Sequence, residues 1–158
     1  PGCTRQINVF EVRHADGWAV RLVDLPGFGF AKRSKEERAS WGRIIEDYLR
    51  ERSNLALVVL LVDARRGVEQ EELMLGEFLR HVRGDTLPLQ LVATKLDRIA
   101  RSAVKPSLGR IAESVAGRVI GFSAKTGEGT EPLWRAIRTA LPSAGGNVLP
   151  DAGLEPST

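Results

Sequence analysis

The 158-residue sequence has one cysteine, no long apolar run and little excess of either charge. Cys3 alone cannot close an internal disulfide, and no signal-like start is visible, which points to a reducing cytoplasm and leaves Cys3 as a small filler residue. The longest apolar run, "LALVVLLV" at 55–62, stops at Asp63, far short of the roughly 20 residues a membrane-crossing helix needs. It reads instead as a strand buried on both faces. Twenty-three basic residues against twenty acidic ones leave a net charge of +3, which permits an anionic partner without requiring one. Arg65, Arg66, Arg80, Arg83, Arg98 and Arg101 could form a phosphate-facing patch, but scattered among acidic residues they read first as an ordinary solvated surface. An initiator methionine is also missing: the chain starts at Pro1 and reads as a fragment, or as a product whose front end is absent.

What is present suits one soluble domain. At 42% apolar and 27% charged, the chain can bury one substantial core. "QINVFEV" (6–12) and "WAVRLVD" (18–24) alternate apolar and polar residues around the turn-like "HADG" (14–17), which predicts a hairpin. Trp41, Ile44, Ile45, Tyr48 and Leu49 recur at helical spacing, predicting an amphipathic helix over roughly 35–52. A strand over 55–63 and a helix carrying Leu75, Phe78, Leu79 and Val82 follow. "PLQLVATKLD" (88–97) is a strand running into a polar loop, a helix of weaker pattern covers about 103–115, and "RVIGFSA" (118–124) is a short strand. Thr130 is expected to cap a last helix bearing Leu133, Trp134, Ile137 and Leu141. From Pro142 onward, Gly, Pro, Ser and Ala predominate without period, and 142–158 reads as a disordered tail.

Strand and helix alternating in this way predict an α/β fold: a mostly parallel sheet covered on both faces, with the hairpin supplying an antiparallel edge strand. Ligands in such sheets bind at the carboxyl ends of the strands. Three of those ends carry distinctive residues: "DLPG" from Asp24, "TKLD" at 94–97 and "SAKTG" from Ser123. Their order, with room for a strand and a helix between successive motifs, is the layout of a guanine-nucleotide-binding domain.

Each motif has a physical reason. The carboxylate of Asp97 can accept a ring N–H and an exocyclic amine from one edge of guanine, a charge-assisted bidentate pair. Adenine offers no such pair of donors, so sites built this way reject it strongly. Lys95 can lay its methylene stem along a base while its ammonium stays polar. The backbone N–H of Ala124 can donate to the guanine carbonyl while Ser123 braces the loop, with Thr94 and Lys125 flanking the two motifs. Asp24 can hold Mg²⁺ through water, and Gly27 admits a backbone N–H close to a terminal phosphate. Thr4 is either a strand-edge residue or, beside these loops, a Mg²⁺ and phosphate ligand. On this reading "DLPGFGF" is a segment ordered by a phosphate and released on hydrolysis.

"PGCTRQINVFEV", "LVDLPGFGFAK", "VVLLVDARRGV", "VATKLD" and "FSAKTGEG" together resemble the EngB (YihA/YsxC) family of ribosome-biogenesis GTPases, over residues 1 to about 141. "DLPGFGFAK" is similar to the family's Asp-Leu-Pro-Gly-Tyr-Gly-Tyr-Ala pattern, with Phe28 and Phe30 in place of the tyrosines. The resemblance implies a P-loop GTPase-like three-layer α/β/α sandwich, GTP and GDP binding with Mg²⁺, slow GTP hydrolysis, and a role in assembling the large ribosomal subunit. Ribosomal RNA and protein are then the expected partners, and a cytoplasmic monomer is the expected form.

Two departures bear on activity. Many GTPases place a glutamine after Asp-x-x-Gly to orient the attacking water; Phe28 stands there instead, so no catalytic base is named. The Gly-x-x-x-x-Gly-Lys-Ser/Thr loop that cradles phosphates is not among the 158 residues. In the family it lies upstream of the segment matching Pro1, so residues 1–141 are expected to be a GTP-binding domain lacking its first strand and phosphate loop, inactive without them. The alternative is a ribosome-associated module that reads guanine without turnover.

Overall fold

Alternating β-branched and aliphatic side chains set the strands. The computed structural model describes residues 7–25, 43, 45–115 and 117–142. Asn8–Arg13 (β1) pairs antiparallel with Ala19–Asp24 (β2), Val9 opposite Val23 and Val12 opposite Val20. The turn between them closes where His14 N–H donates to the Trp18 carbonyl at 2.9 Å. Residues 45–51 are helical (α1). Val58–Asp63 (β3), Leu89–Thr94 (β4) and Val119–Gly121 (β5) then form a parallel sheet in the order β3-β4-β5. Parallel neighbours need crossovers, and Gln70–Arg83 (α2) and Arg101–Val115 (α3) supply them before Thr130–Ala140 (α4) ends the series.

Two apolar clusters hold these layers. Val62, Ala64, Leu91, Ala93 and Leu96 close over Ile111 of α3, while Ile45 and Leu49 of α1 meet Leu75, Leu79 and Leu87. Leu60 touches both clusters. Each fully buried aliphatic side chain contributes roughly 1.5–3 kcal/mol relative to exposure, so these clusters outweigh any single polar contact in the fold.

The α/β class and the element order match the sequence reading, with three corrections. The run at 55–62 does not give a strand buried on both faces: Leu60 and Val62 face the helices, but Leu61, on the opposite face by the two-residue period, is 60% exposed. The hairpin does not join the parallel sheet as its edge strand; among the described residues β1 and β2 form a separate two-stranded sheet. It is tied to α4 instead, where Trp18 stacks on His14 at 4.9 Å, meets Trp134 edge-on at 6.0 Å and lies beneath Arg138. Thr130 is the first helical residue of α4 and Gly129 its N-cap; the Thr130 hydroxyl donates back to the Gly127 carbonyl at 2.7 Å.

Pro106 sits inside α3 and withholds a backbone donor there. Half of the predicted helix over 35–52 and the tail at 143–158 lie outside the described residues, as do Thr4 and Gly27. No helix among the described residues is long and apolar enough to cross a membrane.

Candidate functional site

The carboxyl ends of β3, β4 and β5 converge because the strands are parallel and in register. Asp63 pairs with Thr94 and Ala93 with Gly121, so the residues that follow each strand meet on one rim of the sheet. Thr94 ends β4, and its hydroxyl donates to the Val62 carbonyl at 2.9 Å, welding β4 to β3 at this rim. The chain then turns sharply. Lys95 adopts the left-handed conformation (φ 62°, ψ 38°) and Leu96–Arg98 form a single tight helical turn. A non-glycine residue in that region costs of order 1–2 kcal/mol. The turn is held by Arg98 N–H to the Lys95 carbonyl at 2.9 Å, by Leu96 N–H to the Phe122 carbonyl at 3.2 Å, and by burial of Leu96.

Ser123 follows β5 and is fully buried. Its N–H donates to the Glu128 carbonyl, and its carbonyl accepts from Gly127 N–H, both at 2.9 Å. Its hydroxyl accepts from Thr126 N–H at 3.3 Å and donates to Oδ1 of Asp97 at 2.7 Å. A buried hydroxyl with both roles filled is rigid. That bond, opposed by partial desolvation and helped by the carboxylate's own backbone N–H, Lys125 and Arg98, holds the Asp97 carboxyl below its ordinary value. Asp97 therefore stays an anion, exposed at the rim and braced from behind, with acceptor capacity left for a pair of N–H donors. Ala124 and Lys125 stand exposed on the same loop.

Two glycines let this loop sit so close. A side chain at Gly129 (φ 82°) would place its Cβ 1.9 Å from the Gly121 carbonyl oxygen. A Cβ at Gly121 would lie 2.8 Å from Leu96 Cδ1 and 3.1 Å from Leu108 Cδ1.

Thr94, Lys95, Asp97 and Ser123 are thus brought together, with Ala124 and Lys125 beside them. Asp24 ends β2, on the hairpin rather than on the parallel sheet. Asp63 is a member of the site that the sequence reading missed, and it holds Arg65, which that reading put on a solvated surface or a phosphate-facing patch. Oδ2 of Asp63 accepts from Lys95 Nζ at 3.0 Å and from Arg65 Nη2 at 2.6 Å, while its Oδ1 takes Arg65 Nε at 2.9 Å and Arg65 N–H at 3.0 Å. Asp63 ends β3 level with Thr94 and so beside Lys95, a neighbourhood set by the register of β3 against β4. Arg66 is likewise engaged, by Glu69 at 2.8 Å and by buried Glu72 at 3.1 Å. Two of the six arginines that could have formed a patch are therefore held by local carboxylates.

Known proteins share both the sequence and the fold. The family described as "50S ribosome-binding GTPase" matches residues 1–95. A protein of Desulforapulum autotrophicum named "Probable GTP-binding protein EngB" is 39% identical over 145 residues, covering 89% of this chain and 71% of its own length. One of the same name from Lactiplantibacillus plantarum is 39% identical over 154 residues, covering 93% and 72%. Among solved structures, Era from Aquifex aeolicus, in a variant bound to GDP and AlF4⁻, superposes with a TM-score of 0.73 at 22% identity. That match covers 93% of this chain and about half of Era, 48%. At that identity the likeness shows the fold, which is that of a P-loop GTPase. Identities of this size across most of both chains settle the ancestry: the chain belongs to the EngB family of GTP-binding proteins.

Proposed function

We propose that this protein is a slow GTP-hydrolysing switch in the assembly of the large ribosomal subunit, working in the cytoplasm as a monomer. The observation that carries the nucleotide half of this reading is the fixed, exposed carboxylate of Asp97 braced by buried Ser123. In this reading Asp97 accepts two N–H groups from guanine, the stem of Lys95 lies along the base, and Ala124 N–H donates to the base carbonyl. Thr94 and Lys125 flank that pocket. Support for the ribosomal half comes from the description of the matching family, whose members are named for binding the 50S subunit.

Asp24 and Thr4 would hold Mg²⁺ and Gly27 would leave room for the terminal phosphate. A carboxylate at the end of β2 suits a cation that keeps most of its water. Phe28 carries no group that could orient water, which is the reason for assigning slow turnover. The exposure of Leu61 and the separation of the two sheets support a further strand between β2 and β3 in the working domain, with the phosphate loop after it.

The test is titration of the full-length protein with fluorescent GDP and ADP. Tight GDP binding and at least hundredfold weaker ADP binding are expected, both levelled by Asp97→Ala. Equal affinities in the unaltered protein would overturn the reading.

A further inference from the structure

Asp63 stands outside the motifs that identified the site, yet its carboxylate is the anchor on which Lys95 rests. We infer that Asp63 is a positioning residue for base recognition: its shared carboxylate fixes the Lys95 side chain as one wall of the guanine pocket. This rests on the reading of the β4 and β5 loops as the base site.

Lys95 leaves β4 in a left-handed conformation, and its ammonium is half exposed, with 52% of the side chain open to water. A lysine so placed has a flexible four-carbon stem and no reason to hold one rotamer unless its end is tied. Asp63 ties it at 3.0 Å. Asp63 cannot swing away in turn, because its side chain is only 14% exposed and Arg65 grips both oxygens. The Arg65 N–H bond at 3.0 Å closes a local turn on Oδ1, and Arg66 and Gly67 N–H groups both donate to the Asp63 carbonyl, at 2.9 and 3.0 Å. The charge count matters as much as the geometry. Arg65 and Lys95 are two cations sharing one anion; without it they repel each other, and Lys95 loses the contact that fixes its end.

The experiment is a double-mutant cycle on the full-length protein, read as GDP affinity. Asp63→Asn keeps the size and the Oδ1 acceptor while removing the charge. It is expected to weaken GDP about fivefold, the upper range for a partly exposed ion pair, while GDP stays strongly preferred over ADP because Asp97 is untouched. In a Lys95→Ala background the same change should cost nothing further. Equal costs in both backgrounds would overturn the inference, since a role confined to folding does not depend on Lys95. If Asp63→Asn does not fold, Asp63→Glu carries the test: it keeps the anion but shifts it by a methylene, and its effect should likewise vanish without Lys95. Unaltered protein that fails to prefer GDP over ADP overturns the base-site reading itself; preference without coupling overturns this inference alone.

Discussion

Ser123 donates its hydroxyl to Oδ1 of Asp97 at 2.7 Å from a position with no solvent exposure, so one buried oxygen ties the loop after β5 to the loop after β4. Replacing it by alanine removes both the donor to Asp97 and the acceptor for Thr126 N–H. Ser123→Ala is expected to weaken GDP binding about tenfold, the scale of a hydrogen bond to a charged group, and to narrow the preference for GDP over ADP. Fluorescent-nucleotide titration checks both. An unchanged ratio would mean that Asp97 holds its place without the serine.

The two carboxylates at this rim also set the response to acid. Asp63 is held well below the usual carboxylate range, first by the Arg65 side chain, then by Arg65 N–H and Lys95, against the cost of desolvation. A depressed folded pKa stabilises the native state above the unfolded value, 3.8, and that contribution is lost as pH falls through the lower folded value. Unfolding free energy should therefore decline below about pH 4 and be level above it as far as Asp63 is concerned. Asp63→Asn should flatten the decline, measured by denaturant titration at pH 3 to 6.

The glycines of "SAKTGEG" differ in what they tolerate. Gly129→Ala would drive a methyl into the Gly121 carbonyl at 1.9 Å as well as straining φ, whereas a methyl at Gly127 (φ 77°) meets nothing within 4 Å. Chemical denaturation should show a loss of about 3 kcal/mol or more for Gly129→Ala and only about 1 kcal/mol for Gly127→Ala. Similar losses would show that the loop can move off β5.

At the start of α2, Glu69 and Glu72 cap reciprocally: the Glu72 side chain accepts Glu69 N–H at 2.8 Å while also holding Arg66. Glu72→Ala should cost about 1–2 kcal/mol in unfolding free energy, with Glu69→Ala smaller because its side chain is more exposed.

Much of this was legible in the sequence where a pattern repeats or a motif sits at a strand end. The alternation of 19–24 and the helical spacing of Leu75, Phe78 and Leu79 gave elements within a few residues of those found. Asp97 and Ser123 were placed by their motifs, and the structure adds that they touch. The misses share a cause. Leu61 and the detached hairpin depend on what covers a strand, and a run of aliphatic residues reads the same whether or not its second face is covered. Lys95 in the left-handed region and Asp63 beneath it depend on the register between two strands, which no local pattern encodes. Gly129 displaced Thr130 as the cap because the loop's close approach to Gly121, not cap chemistry, decides where α4 can start.

Leu61 has one more consequence. It projects an aliphatic side chain into water from β3, which is an outer strand of its sheet among the described residues. Bare edges of that kind recruit other edges. Preparations of these 158 residues alone should grow turbid as concentration rises, and a single lysine at position 61 should clear them.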